Sequence, residues 1–159
     1  MPDGTFSLSV LTPEERLLEI EARALVLRSS DGDLTILDGH TPLVTDVVPG
    51  DVRVDPEEGD PVHLAVHGGF LHVETGPGIG GDPAVRATRA TLLAGVAELA
   101  STIDVERARR AREEASAQVD QLRSTGGGEE AATPELVESQ AALRRAEVRL
   151  TVAGESVAG

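Results

Sequence analysis

The hydrophobic period of this chain changes once, near Ser101, and that change limits the fold more than any other feature. Before it, apolar residues recur at every second position in short runs cut by Gly, Pro and Asp. Phe6, Leu8 and Val10 alternate with polar neighbours, Ala22 to Leu27 forms a second extended run, and Val52 and Val54 alternate between Asp51 and Asp55. A period of two lines one face of a strand, so this half reads as an antiparallel β-sandwich. Pro61 to Val73 continues it, with Gly68 and Gly69 marking a bulge or sharp bend inside a strand pair. TGPGIGGDPAVRA reads as a long hairpin tip, and Thr91 to Val96 returns as a last strand.

Beyond Ser101 the spacing turns to threes and fours. Ala108, Ala111, Ala115, Val119 and Leu122 form a narrow apolar stripe on a first helix, which Asp104 caps and Glu106 favours through the helix dipole. Ser124 to Gly128 ends it. Thr133-Pro134-Glu135 then supplies a cap, a proline at the first helical position and an acid behind it. Leu136, Leu143 and Leu150, interleaved with Ser139, Ala146 and Ala153, make a matching seam, so the two helices form an antiparallel hairpin. The fold class is α+β, with a sandwich over residues 1–100 and a helical hairpin over 101–159.

Composition removes whole classes of chemistry. With no cysteine there is no disulfide, thiolate metal site or thiol nucleophile. Two aromatics, Phe6 and Phe70, leave little for stacking on bases, and a formal charge of −14 opposes nucleic acid and anionic lipid. The N-terminal MPDGTFSLSV lacks the basic start and apolar stretch of a secretory signal, and no run approaches the ~20 apolar residues of a membrane span.

His63 and His67 share a strand face but lie too far apart to chelate one ion unaided, so no metal site is expected. GPGIGGDP lacks the GKS or GKT ending of a phosphate loop and fits a hairpin tip. Arg107, Arg109, Arg110 and Arg112 read partly as a solvated helix face and partly as cations for an acidic partner or a nucleotide.

A sandwich followed by an alanine-rich hairpin, carrying GDLTILDGHTPLVTDVVPGDVRV, then AVHGGFLHVE, then IDVERARRA, resembles the epsilon subunit of bacterial F-type ATP synthases, of the actinobacterial type. The resemblance covers nearly the whole chain in order. It departs at three places: Thr35 stands where the family usually has glycine, the tip at residues 75–89 is longer, and the inter-helix loop TGGGEEAATP is also long.

The resemblance implies a non-catalytic rotor subunit of the central stalk, peripheral on the cytoplasmic face of the bacterial plasma membrane and without direct membrane insertion. Its sandwich would bind the gamma subunit and sit on the c-ring. Its hairpin would fold down, or extend toward the alpha/beta catalytic head and obstruct rotation in the hydrolysing direction. By family position Asp31, Gly32 and Asp33, with the turn Asp38-Gly39-His40, would lie at the end of the sandwich facing the c-ring. The glycines would permit tight turns, and Asp33 and His40 would offer polar contacts.

No cofactor is implied, and ATP only as a weak regulatory ligand. Ile103, Asp104, Arg107 and Ala108 match the family's ATP motif, Arg145 and Arg149 take the corresponding places on the second helix, and Glu98 fits a base-contacting position. Glu114, however, stands where a further arginine is expected, and Arg112 points elsewhere on the helix. Two other classes stand beside this reading: a free-standing nucleotide-sensing module using the hairpin arginines, and an enzyme with a histidine site.

Overall fold

The computed structural model describes residues 4–77, 86–125 and 132–154. The chain divides into two compact units, Met1–Ala100 and Ser101–Gly159.

The first unit is built from β1 (Phe6–Leu11), β2 (Arg16–Ser29), β3 (Gly32–Ile36), β4 (Leu43–Val47), β5 (Gly50–Pro56), β6 (Val62–Val66), β7 (Gly69–Pro77), β8 (Arg86–Ala94) and β9 (Ala97–Leu99). They hydrogen-bond in the order β4-β7-β8-β1-β2-β5-β6-β9, with β3 on the far half of β2. β1 and β8 run parallel, and the other pairings among the described residues are antiparallel.

β2 serves both layers of the sandwich. Its first half pairs with β1, and its second half lies between β5 and β3. The register slips between Ala22 and Ala24, and the inward phase passes from Ile20 and Ala22 to Leu25, Leu27 and Ser29. One extra residue at a bulge turns the buried face of a strand over, which is what a strand crossing between layers requires. The core is aliphatic apart from Phe6: Leu8, Leu25, Ile36, Leu64, Leu71 and Leu92 are all completely buried. Each such side chain contributes roughly 1.5–3 kcal/mol by leaving water.

Two expectations change. The run Pro61 to Val73 is two strands that do not pair with each other: β6 bonds β5 and β9, while β7 bonds β4 and β8. Gly68 and Gly69 therefore turn the chain from one layer to the other, at φ 97° and 158°. The returning strand begins at Arg86 instead of Thr91, and the last one is β9. The stretch 32–50, rich in Gly, Pro and Asp, contains two further strands, β3 and β4. Residues 78–85 of the hairpin tip lie outside the described residues, although the ladder is intact up to Pro77↔Arg86.

The second unit follows a 3₁₀ turn at Ala100–Thr102 and consists of α1 (Val105–Thr125) and α2 (Pro134–Val152). Asp104 caps α1, its Oδ1 accepting from the Arg107 N–H at 3.0 Å. Thr133 caps α2, its Oγ1 accepting from the Leu136 N–H at 3.3 Å, with Pro134 beginning the helix. Ala153, placed in the seam by its spacing, is the C-cap instead, and Gly154 follows at φ 84°. Ala108, Ala115 and Val119 of α1 and Ser139, Ala146 and Leu150 of α2 are buried, so small side chains let the helices approach closely. Loop residues 126–131 lie outside the described residues.

Candidate docking surface

The turn joining β2 to β3 contains only Ser30 and Asp31. No non-glycine among the described residues has positive φ, so Gly32, at φ 127°, absorbs the reversal. Side chains then fix the turn from several directions. The Ser29 hydroxyl donates to the Gly32 carbonyl and accepts from the Asp31 N–H, both at 3.2 Å. Asp46 of β4 accepts from the Ser30 hydroxyl at 2.9 Å and from its N–H at 3.3 Å. Arg28 Nε donates to Asp33 Oδ1 at 2.8 Å. That hydrogen bond, with the attraction of the guanidinium behind it, holds the Asp33 carboxyl below the usual carboxylate range. Asp33 is exposed but already engaged, and Asp31 is a second exposed carboxylate at the tip.

The second turn, Leu37 to His40, closes with the His40 N–H donating to the Leu37 carbonyl at 3.1 Å. Gly39 holds its third position at φ 80°, as a type II turn demands. The Gly39 N–H donates to the buried Thr88 hydroxyl at 2.8 Å, and His40 Nδ1 bonds the Thr41 carbonyl at 2.7 Å. Asp38 packs its carboxyl against Gly4, where any Cβ would collide with it.

The five extended residues of β3 stand between these turns, about 16 Å at ~3.3 Å per residue. They consequently lie at opposite ends of that strand. Asp31, Gly32 and Asp33 sit beside Asp46, whereas Asp38, Gly39 and His40 sit beside Thr88.

Next to the first turn lies a feature that the sequence reading missed. Val44, Phe70 and Leu93 are 69%, 60% and 49% exposed, on the outer face of β4, β7 and β8. Phe70 is the direct partner of Asp46 on one side and Leu93 on the other, and Val44 is the partner of His72. The signal was present in the period: Phe70 falls out of phase with the buried Leu71 and Val73.

In the hairpin, Arg112 Nε lies 3.9 Å from Glu147 Oε1, which sets the helices in register. Counting along antiparallel helices from that pair puts Glu114 level with Arg145 and Arg110 level with Arg149. At about 100° per residue, Arg107 and Glu114 share a flank with Arg145 and Arg149, opposite the Arg112–Glu147 side. By this count Arg107, Arg145 and Arg149 fall on one flank of the hairpin, and Glu114 falls on the same flank. Asp104 is engaged as a cap, Ala108 is buried in the seam, and Ile103 is half-buried just before α1. Glu98 belongs to the first unit, on β9, with its Oε2 at 3.7 Å from Nε2 of the buried His67 side chain. His63 Nδ1 lies 2.9 Å from Asp51 Oδ2, an ion-pair geometry across neighbouring strands. The described residues contain no cluster suited to a metal ion.

Comparison with known proteins matches both units. Residues 5–100 fit the family model for the ATP synthase delta/epsilon chain β-sandwich domain, and residues 101–154 that for its long α-helix domain. The chain is 37% identical over 151 residues to an ATP synthase epsilon chain of Moorella thermoacetica, covering 95% of this chain and 98% of that one. An ATP synthase epsilon chain of Lactobacillus gasseri is 34% identical over 154 residues, covering 95% and 94%. A chain in the Euglena gracilis mitochondrial ATP synthase shares the fold with a TM-score of 0.66 at 23% identity, over 92% of this chain and 80% of that one.

Proposed function

This chain belongs to the epsilon-subunit family of the bacterial F-type ATP synthases, non-catalytic components of that complex, and from that premise we propose that it couples the gamma subunit to the c-ring and restrains ATP hydrolysis. The observation carrying the docking part is the braced turn Ser29 to Asp33. Its backbone is tied to Asp46, its Asp33 carboxylate to Arg28, and its tip presents Asp31 outward. A turn fixed before binding loses little conformational entropy on docking, which suits a contact that transmits torque. The first unit docks on gamma and places this turn toward the c-ring. The turn at Asp38, Gly39 and His40, at the other end of β3, contributes to the gamma side.

The hairpin acts toward the alpha/beta head through exposed arginines on α1, and the subunit works as a peripheral component on the cytoplasmic face of the plasma membrane. ATP is at most a weak ligand of the hairpin flank.

Deleting residues 101–159 from the assembled synthase tests the division of labour, because the two units are separately compact. ATP hydrolysis is expected to rise while proton-driven synthesis persists. Unchanged hydrolysis would remove the inhibitory role, and loss of the truncated chain from the complex would remove the docking role of the first unit.

A further inference from the structure

Among the described residues of the first unit the buried polar side chains are Ser29 and Thr88, and each hydroxyl is spent on one of the two turns. Thr88 points inward in phase with Ala90 and Leu92, one residue before β8 begins to pair with β1. Its oxygen accepts from the Gly39 N–H at 2.8 Å, and Gly39 lies in the connection that carries the chain from β3 to β4. That N–H belongs to the Asp38–Gly39 peptide, the central peptide of the turn Leu37 to His40. The bond that closes the turn, from the His40 N–H to the Leu37 carbonyl, is compatible with two orientations of this peptide. Type I and type II turns differ chiefly by turning it over, and glycine at the third position accepts both. Gly39 has φ 80°, the type II state.

We propose that Thr88 is the positioning residue of this turn: its hydroxyl selects the type II state and so aims the Asp38 carbonyl, as a hydrogen-bond acceptor, at a donor on the gamma subunit. The proposal rests on the reading that this turn contributes to the gamma side, and adds the residue that sets it and the group it presents. A planar trans peptide points its carbonyl opposite its N–H. With the N–H on Thr88, the Asp38 carbonyl therefore faces away from the buried hydroxyl, toward the open side of the turn. Turning the peptide over would exchange these directions. A carbonyl oxygen stands farther from the chain than the amide nitrogen does, and a threonine oxygen 2.8 Å from that nitrogen leaves it no room. The Asp38 carboxyl, packed against Gly4, holds the residue on which such a flip would pivot. Without the hydroxyl, the Gly39 N–H loses its buried acceptor and the commoner type I turn becomes open to the chain.

The test pairs NMR of the full-length chain with its binding to a synthase F1 sector stripped of this subunit, both well below the melting temperature. Thr88→Ser and Thr88→Ala lack the same methyl group and differ in the hydroxyl alone. Wild type and Thr88→Ser are expected to show a short contact between the Asp38 Hα and the Gly39 amide proton, the mark of type II. Thr88→Ala should replace it by a short contact between the Asp38 and Gly39 amide protons, the mark of type I. Its affinity for the F1 sector should fall about tenfold, and Thr88→Ser should bind as wild type does. Gly39→Ala reaches the same state by another route, because nothing lies within 4 Å of an added Cβ and only the positive φ opposes it. It should bind as weakly as Thr88→Ala. A type II contact retained in Thr88→Ala, or equal losses of affinity in Thr88→Ala and Thr88→Ser, would overturn selection by the hydroxyl and leave the docking role of the turn standing. A turn that flips in both Thr88→Ala and Gly39→Ala with undiminished affinity would overturn that docking role as well.

Discussion

Phe6 and Phe70 are the same residue type in alternating segments of the same sheet, and their environments make opposite forecasts. Phe6 is 1% exposed in the core and Phe70 60% exposed outside it. Phe6→Ala should lower unfolding free energy by about 3–5 kcal/mol, because a cavity is left among aliphatic neighbours that cannot close over it. Phe70→Ala should change it by less than about 0.5 kcal/mol. Urea midpoints of the two variants test the contrast directly. At the braced turn, the Arg28 guanidinium depresses the Asp33 carboxyl, so the pair favours the folded turn above the ordinary carboxylate range. That contribution is lost as pH falls through the lowered value. The Asp33 carboxyl should titrate by NMR below an ordinary aspartate, and Arg28→Gln should return it to the usual range. Both side chains are largely exposed, so salt should shrink the difference.

Among the elements, those with one uninterrupted period were legible and those with a break were not. β1 and β5 keep strict alternation, and α1 keeps its three-and-four spacing from Ala108 to Leu122, so all three followed from the sequence. β2 hides its length, since the bulge beside Arg23 reverses its inward phase and leaves two short patterns in place of one long one. β3 and β4 were obscured by turn-forming residues that belong to their ends. The separation of β6 from β7 was unreadable for another reason: Gly68 and Gly69 permit both a bulge and a corner, and only the long-range pairing decides between them. The same limit applied to the docking turns, where spacing showed the glycines but not that five extended residues carry the turns apart.

Capping, by contrast, is local, and it yields a forecast at this scale. Asp104→Ala and Thr133→Ala should each lower helix stability by about 1 kcal/mol, whereas Asp104→Asn should cost little because asparagine caps comparably. Thermal melts followed by circular dichroism at the helical band would separate these outcomes. A large loss in Asp104→Asn would mean that the carboxylate charge does more than cap α1.

For the molecule as a whole, the question is whether a strongly acidic chain can use a small basic flank to hold a nucleotide. The field of a −14 chain repels a phosphate chain at long range, so binding must come from contacts close enough to outweigh it. Arg107, Arg145 and Arg149 occupy one flank of the hairpin, but Glu114 lies level with Arg145 on the same flank, as the Arg112–Glu147 register requires. A carboxylate there competes for Arg145 and also faces any incoming phosphate. Replacing one charge-assisted contact by repulsion costs on the order of 1.5–3 kcal/mol or more, roughly a hundredfold in affinity. ATP binding to the isolated chain is therefore expected to be millimolar or undetectable by calorimetry. Glu114→Arg should tighten it by about tenfold or more, since it removes the repulsion and restores a cation at the same level of the hairpin. Micromolar binding by the wild-type chain would show that the flank gathers its phosphate contacts without the position that Glu114 holds. Equal affinities in wild type and Glu114→Arg would show that the ligand, if bound, sits away from this flank altogether.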